Sequence, residues 1–155
     1  MDGGGSRAGR HVLIIGGGAS GALMAIHLLH AAPETRVTIV EKRAMLGCGV
    51  AYATDHPDHL LNTRAHNMSA LPDDPDHFLR WLSARDEIGV SFVSRGIYGR
   101  YLESLVSPWR EDRLRCVAGE VLRVEETRHG ISAHLDDSTT VLADRAILAT
   151  GHAVP

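Results

Sequence analysis

A glycine-rich turn set between an apolar run and an Ala/Leu-rich run constrains this chain more than any other feature. His11-Val-Leu-Ile-Ile15 is a short, β-branched apolar run. Such a run suits a strand covered on both faces, as in a parallel sheet. Gly16-Gly17-Gly18-Ala19-Ser20-Gly21 follows at once and fits G-x-G-x-x-G. Ala19 to His30 is rich in Ala, Leu and Met, with Ala22, Ala25, Ile26 and Leu29 on one stripe, which predicts a helix. Pro33 lies just beyond, where helices commonly stop. Arg36 to Val40 then predicts a second strand, completing a β-α-β unit with a right-handed crossover.

Each position of the turn has a physical meaning. Gly16 permits the tight exit from the strand, Gly18 removes a side chain where a pyrophosphate must approach the backbone, and Gly21 lets the helix pack on the strand. The helix start offers unpaired N–H groups and about half a positive charge to phosphates. Glu41 closes the second strand 20 residues after Gly21, and a separation of about 20 is what a ribose-binding acid requires. Strand, turn, helix and acid together predict a dinucleotide site. A carboxylate at Glu41 would repel a 2′-phosphate, which argues against NADP in this first site but does not separate NAD from FAD.

The chain has 155 residues, enough for one domain, and is 44% hydrophobic and 23% charged, which excludes global disorder. A net charge of −3 argues against a nucleic-acid-coating or polybasic membrane-binding protein. No apolar run approaches the ~20 residues of a membrane span, and Met1 to Arg10 has no signal-peptide apolar region. Residues 1–10 are expected to be a flexible leader and residues 11–155 the domain. A cytoplasmic location is expected, with a small-molecule substrate and neither nucleic acid nor membrane as partner; the oligomeric state stays open. Cys48 and Cys116 form no C-x-x-C pair, which fits a reducing compartment.

From Lys42 to Asp74 no long periodic segment is visible, and irregular stretches of that length are often functional. Asp74-Pro75 reads as an N-cap and first helical position for a helix to about Arg85, with Phe78, Leu79, Trp81 and Leu82 on its apolar face. A second helix is predicted over Ile97 to Val106, stopping before Pro108. Leu114 to Val117 predicts a strand, Glu120 to Val141 an antiparallel meander turning at His129-Gly130 and Asp136-Asp137, and Arg145 to Ala149 a last buried strand. The expected fold is therefore α/β: a Rossmann-like parallel sheet of about four strands, helices around it and a small antiparallel meander.

A simple NAD domain would continue with regular βα units; this chain interposes a long loop, two helices and a meander. Glu41-Lys42-Arg43, Leu46-Gly-Cys-Gly-Val-Ala-Tyr52, His59-Leu-Leu-Asn62 and Ala149-Thr150-Gly151 resemble the FAD/NAD(P)-binding flavoproteins of the two-dinucleotide-binding superfamily. Within that superfamily the chain is most similar to flavin-dependent N-hydroxylases and other flavin monooxygenases. The resemblance runs from about Val12 to Gly151. It implies that Gly16, Gly18, Ala19, Ser20 and Gly21 hold the pyrophosphate and that Glu41 binds the adenosine ribose. Lys42 and Arg43 would flank the adenine, which Val121 would contact through its main chain. Thr150 and Gly151 would lie over the cofactor, and the loop of Gly49, Val50, Leu61 and Asn62 would approach the flavin end. Family members run several hundred residues and carry a second glycine-rich site and a late Gly-Asp segment. Neither is present, so the chain is expected to be the N-terminal FAD-binding portion of a longer flavoenzyme.

The function so implied is the FAD-binding domain of a flavin-dependent oxidoreductase using NAD(P)H as co-substrate, with monooxygenase chemistry as one form. An NAD-dependent dehydrogenase and a non-catalytic dinucleotide-binding module are the alternatives. No residue stands out as a catalytic acid or base. His56, His59 and His66 lie near Cys48 and Asp55, but no second ligand pair follows at zinc spacing, so no metal site is expected. Cys48 is expected to be a free thiol, reactive if the helix field lowers its pKa. Ser20 is not in a G-x-S-x-G setting and reads as a phosphate-facing hydroxyl. Trp81 and Trp109 are expected to pack in or near the core, and Arg64 and Arg95 to be solvated.

Overall fold

The computed structural model of the chain describes residues 10–43, 45–87 and 92–151; the expected leader, but for Arg10, lies outside the described residues. β1 (His11–Ile15), α1 (Ala19–Ala31) and β2 (Arg36–Glu41) form the first unit. A four-residue helix, α2 (Gly49–Tyr52), and one 3-10 turn (Ala65–Asn67) interrupt the long loop. Then come α3 (His77–Ser83), α4 (Arg95–Val106), β3 (Leu114–Ala118), β4 (Val121–Thr127), β5 (Gly130–Leu135), β6 (Thr140–Ala143) and β7 (Arg145–Leu148). β1, β2, β3 and β7 make a parallel sheet in the order β3-β2-β1-β7, and β4-β5-β6 make a separate antiparallel sheet. Among the described residues no helix is long and apolar enough to cross a membrane.

The alternation of side chains along each strand divides the core in two. Val12, Ile14, Val37, Ile39 and Leu114 face α1 and pack on Ala22, Ala25, Ile26 and Leu29. Leu13, Ile15 and Val40 face the other way, against Ala133, Leu135, Val141 and Ala143 of the antiparallel sheet. Both faces of β1 are thus covered, which is why His11–Ile15 is continuously apolar after its first residue. A third cluster joins α3 and α4 through Phe78, Leu82, Tyr98, Tyr101 and Leu102. Trp81 packs against this cluster and Trp109 against the α1 cluster.

α3 begins later than Asp74-Pro75 suggests. Asp76 occupies the N-cap position, and the helix ends at Ser83 rather than Arg85. The reason is local: the Asp74 carboxylate pairs with the Arg80 guanidinium, and the Asp74 carbonyl accepts from Ser69 Oγ at 2.6 Å. Asp74 therefore anchors the loop to the helix instead of capping it.

Candidate functional site

The carboxyl ends of β1, β2 and β7 converge on the glycine turn. Gly16 N–H donates to the Val40 carbonyl at 2.9 Å, and Ala149 N–H donates to Ile15 at 2.8 Å. Gly16 has φ +102°, in the left-handed region, and a Cβ there would lie 2.3 Å from the Ala149 carbonyl oxygen. A Cβ on Gly21 would lie 1.9 Å from the Gly16 carbonyl oxygen, so α1 rests backbone to backbone on the strand exit. Gly18 differs. Its φ of −65° is ordinary, and a Cβ would meet nothing nearer than Gly49 Cα at 3.4 Å, a normal contact. The fold does not require glycine at position 18; the space a side chain would fill is left beside the helix start.

That helix start is polar and unneutralised. Gly18 is the N-cap of α1, with no side-chain cap and no acid in the first turn. The N–H groups of the first turn, including those of Ala19, Ser20 and Gly21, have no carbonyl within the helix to bind. Their dipoles sum to a partial positive charge where an anion would sit.

Glu41 is buried at the carboxyl end of β2, only 9% exposed. Its Oε2 accepts the Gly17 N–H at 2.6 Å and its Oε1 the Arg43 N–H at 2.9 Å. An ionised carboxylate has about four acceptor sites, so each oxygen keeps one for a ribose hydroxyl. The sequence spacing locates this acid but does not reveal that it fixes the turn. Lys42 pairs with Glu120 at 3.2 Å across the β3–β4 turn, and Gly119 N–H donates to the Glu41 carbonyl at 3.2 Å. These bonds hold Val121, half-buried at the start of β4, next to the β2 end. The Arg43 side chain is exposed.

The segment after β2 folds back over the turn. Gly47 N–H donates to the Gly17 carbonyl at 2.8 Å, buried Leu46 joins the α1 core, and a Cβ on Gly49 would lie 3.1 Å from Gly18 Cα. Gly49 is thus brought against the cradle, with Val50 beside it 85% exposed. Leu61 is buried. Asn62 is exposed, and among the described residues its Oδ1 accepts only from the neighbouring Thr63 hydroxyl at 3.4 Å. Thr150 and Gly151 follow β7 and help line a depression of about 320 Å³ with Ser20, Met24, Ile147, Leu148 and Ala149. Sequence reading missed Met24 and the β7 side chains here. The available signal was the one-turn spacing of Ser20 and Met24 on α1.

Cys48 and Cys116 are free thiols. Contrary to the lowered value considered for Cys48, burial pushes its pKa up and Glu103 adds to this, while Arg100 opposes it. Cys48 is buried under α4, with its sulfur 2.8 Å from where a Gly99 Cβ would stand. His56 and His59 stack with ring centroids 4.9 Å apart, and His59 Nδ1 bonds the Thr54 hydroxyl at 2.7 Å. Among the described residues no group of His, Cys, Asp or Glu is arranged to hold a metal. Arg64 is exposed, whereas Arg95 is half-buried and donates from Nε to the Leu60 carbonyl at 3.1 Å.

Residues 13–153 match the family described as FAD-NAD(P)-binding. Among solved structures the chain is similar to a cyclohexanone monooxygenase mutant from Rhodococcus sp. Phi1 bound to NADP+, with a TM-score of 0.66 and 22% identity over 92% of this chain and 26% of that one. It is similar to OTEMO in complex with FAD and NADP, with a TM-score of 0.64 and 19% identity over 92% of this chain and 25% of that one. L-lysine 6-monooxygenase from Pseudomonas syringae aligns with a TM-score of 0.53 and 19% identity, over 97% of this chain and 37% of that one. At these identities the likeness shows the fold, and this chain spans well under half the length of each of those chains. No curated protein matches the chain.

Proposed function

The chain belongs to the FAD-NAD(P)-binding family, and we propose that it is the FAD-binding part of a flavin-dependent, NAD(P)H-using oxidoreductase, with monooxygenation as the favoured chemistry. The observation that carries this reading is the open cradle at Gly18 beside a helix start without a cap, with the buried Glu41 carboxylate held next to it. The long α2–α4 segment and the antiparallel sheet between β2 and β7 favour FAD over a simple NAD domain, as does the backbone contact of Gly49 with the cradle.

In this reading the N–H groups of Gly18, Ala19, Ser20 and Gly21 bind the pyrophosphate, and Gly16 shapes the turn that presents them. Glu41 accepts from the adenosine ribose and is kept in place by Gly17 and Arg43. Lys42, Arg43 and Val121 border the adenine. Gly49 and Asn62 on one side, and Thr150 and Gly151 on the other, border the flavin half. When bound, FAD supplies hydride and electron transfer through its isoalloxazine ring, and the protein supplies binding and orientation. The substrate is a small molecule, and the setting is cytoplasmic, in keeping with two unpaired cysteines.

The test is reconstitution. The chain is incubated with FAD, freed of excess by gel filtration and scanned for flavin absorbance, and FAD and NAD+ are titrated separately by calorimetry. Retention of FAD, weakened about 10- to 100-fold in Glu41→Gln by loss of charge-assisted bonds, is the expected result. Binding of NAD+ without FAD favours the dehydrogenase reading and refutes the proposal. NADH or NADPH oxidation by the flavin-loaded, full-length protein distinguishes an oxidoreductase from a binding module.

A further inference from the structure

A second depression, about 630 Å³, lies at the end of the parallel sheet opposite the glycine turn. On the face toward the antiparallel sheet, the side chains near the carboxyl ends, Leu13, Ile15 and Val40, are covered by apolar partners. The side chains near the amino ends are not apolar at all. His11 is in register with Arg36 across β1 and β2, and Thr38 is in register with Arg115 across β2 and β3. Thr38 is 2% exposed, and its hydroxyl bonds His11 Nε2 at 2.8 Å, forming a polar floor. Arg36 and Arg115 stand exposed above it.

The arginines lining this depression fall into two kinds. Arg113 is consumed by the fold: it donates to the Leu29, Ala32 and Thr35 carbonyls at 2.7–3.1 Å and pairs with Asp112 at 3.3 Å. Arg110 pairs with Glu103 at 3.4 Å. Among the described residues neither Arg36 nor Arg115 pairs with a carboxylate. The acids nearby are engaged: Asp112 by Arg113, and Asp144 by the His11 N–H at 2.6 Å. Arg36 and Arg115 lie by register on the face of the sheet that carries His11 and Thr38, and both line the depression. Burial foremost, then Arg36 and least Arg115, hold the His11 imidazole below its ordinary pKa, opposed by Asp144 and the Leu142 backbone. Their Cα atoms are diagonal neighbours on adjacent strands, about 8 Å apart by sheet spacing, close enough for two long forks to close on one group.

We propose that this groove binds a small phosphorylated molecule, its phosphate held by Arg36 and Arg115 over the Thr38–His11 floor. A guanidinium fork matches phosphate oxygens two at a time. The volume falls within the roughly 300–1,000 Å³ of small-molecule sites and exceeds what a bare ion needs. The groove is separate from the dinucleotide cradle, which opens at the other end of the same strands.

The probe is inorganic pyrophosphate, titrated into the isotope-labelled chain at constant ionic strength and followed by amide NMR. Saturable shifts at Arg36, Val37, Thr38 and Leu114 to Cys116, together with an upward move of the His11 titration, are expected. In the double variant Arg36→Gln/Arg115→Gln the groove affinity falls about tenfold or more, while shifts at Gly16 to Gly21 stay as in the parent. The Arg36→Lys/Arg115→Lys variant keeps the charge but loses the forks, and binds with intermediate affinity. Groove amides that do not move, that respond equally to added chloride, or that keep parental affinity in the Gln variant overturn the proposal. Because the cradle amides are read in the same spectra, failure at the groove is distinguishable from failure at the dinucleotide site.

Discussion

Replacing Gly18 and Gly21 separately by alanine should split binding from stability. In Gly21→Ala the new methyl would stand 1.9 Å from the Gly16 carbonyl oxygen, so α1 must move off β1 by more than 1 Å to restore van der Waals contact. Overpacking of this kind costs about 1–3 kcal/mol, occasionally more, and a backbone clash in a fully packed contact belongs at the upper end. Alanine returns about 1 kcal/mol of helix propensity, leaving a loss of about 2 kcal/mol. At about 2–4 °C per kcal/mol for a chain of this length, the melting temperature should fall by about 4–8 °C. In Gly18→Ala the methyl meets Gly49 Cα at 3.4 Å and the backbone is already in an ordinary conformation. Stability should therefore change by no more than about 0.5–1 kcal/mol, and in the favourable direction if at all. The methyl instead occupies the cradle, so dinucleotide affinity should drop at least about tenfold, or 1.4 kcal/mol. Thermal melting without ligand and calorimetric titration with FAD and NAD+ read the two effects independently. If Gly18→Ala binds like the parent, or melts as low as Gly21→Ala, the assignment of position 18 to the ligand rather than to the fold is wrong.

Arg113→Ala should destabilise the chain by about 2–3 kcal/mol, because the Leu29 and Thr35 carbonyls lose the Arg113 donor and the Ala32 carbonyl keeps only the Thr35 N–H; urea melts check this, and Arg113→Lys should recover only part of the loss. Acidification gives a further expectation. The folded pKa of His11 lies below its ordinary 6.5, through burial first and Arg36 next, so the unfolded chain binds the proton more readily. His11 therefore contributes stability that is intact above 6.5 and is lost as pH falls from there through the lower folded value. His11→Gln should flatten that part of the stability–pH profile, and a profile unchanged by the substitution would show that another group governs it. Glu125 works in the usual acid sense: its pKa is lowered by the Arg123 hydrogen bond first and by His134 second. Its contribution is present above the ordinary carboxylate range and lost as pH falls through the lowered value, and Glu125→Gln should remove a small acid-limb slope, small because the pair is exposed.

What the sequence made legible depended on how far apart the cooperating residues lie. β1, α1 and β2 are readable because the apolar run, the helical stripe and the turn are contiguous, and the burial of β1 on both faces leaves an unbroken apolar signature from Val12 to Ile15. α2 is not readable, since four residues carry no period; it is held by tertiary contacts, the Gly47–Gly17 bond and the close approach of Gly49 to Gly18. α3 starts later than Asp74-Pro75 suggests because the Asp74 carboxylate is taken by Arg80 and its carbonyl by Ser69, contacts that no capping pattern announces. Arg36 and Arg115 become neighbours only through the pairing of β2 with β3, which no local pattern announces. The same logic applies inside the motif itself. Gly16, Gly18 and Gly21 are one letter in the sequence, yet two of them are demanded by backbone contacts and one is not. Glu41 likewise fits the ribose spacing, but the structure adds that its two oxygens already clasp Gly17 and Arg43. The acid that would read the ligand is therefore one of the bonds that holds the turn, and folding delivers it oriented, with free acceptor sites and little left to order on binding.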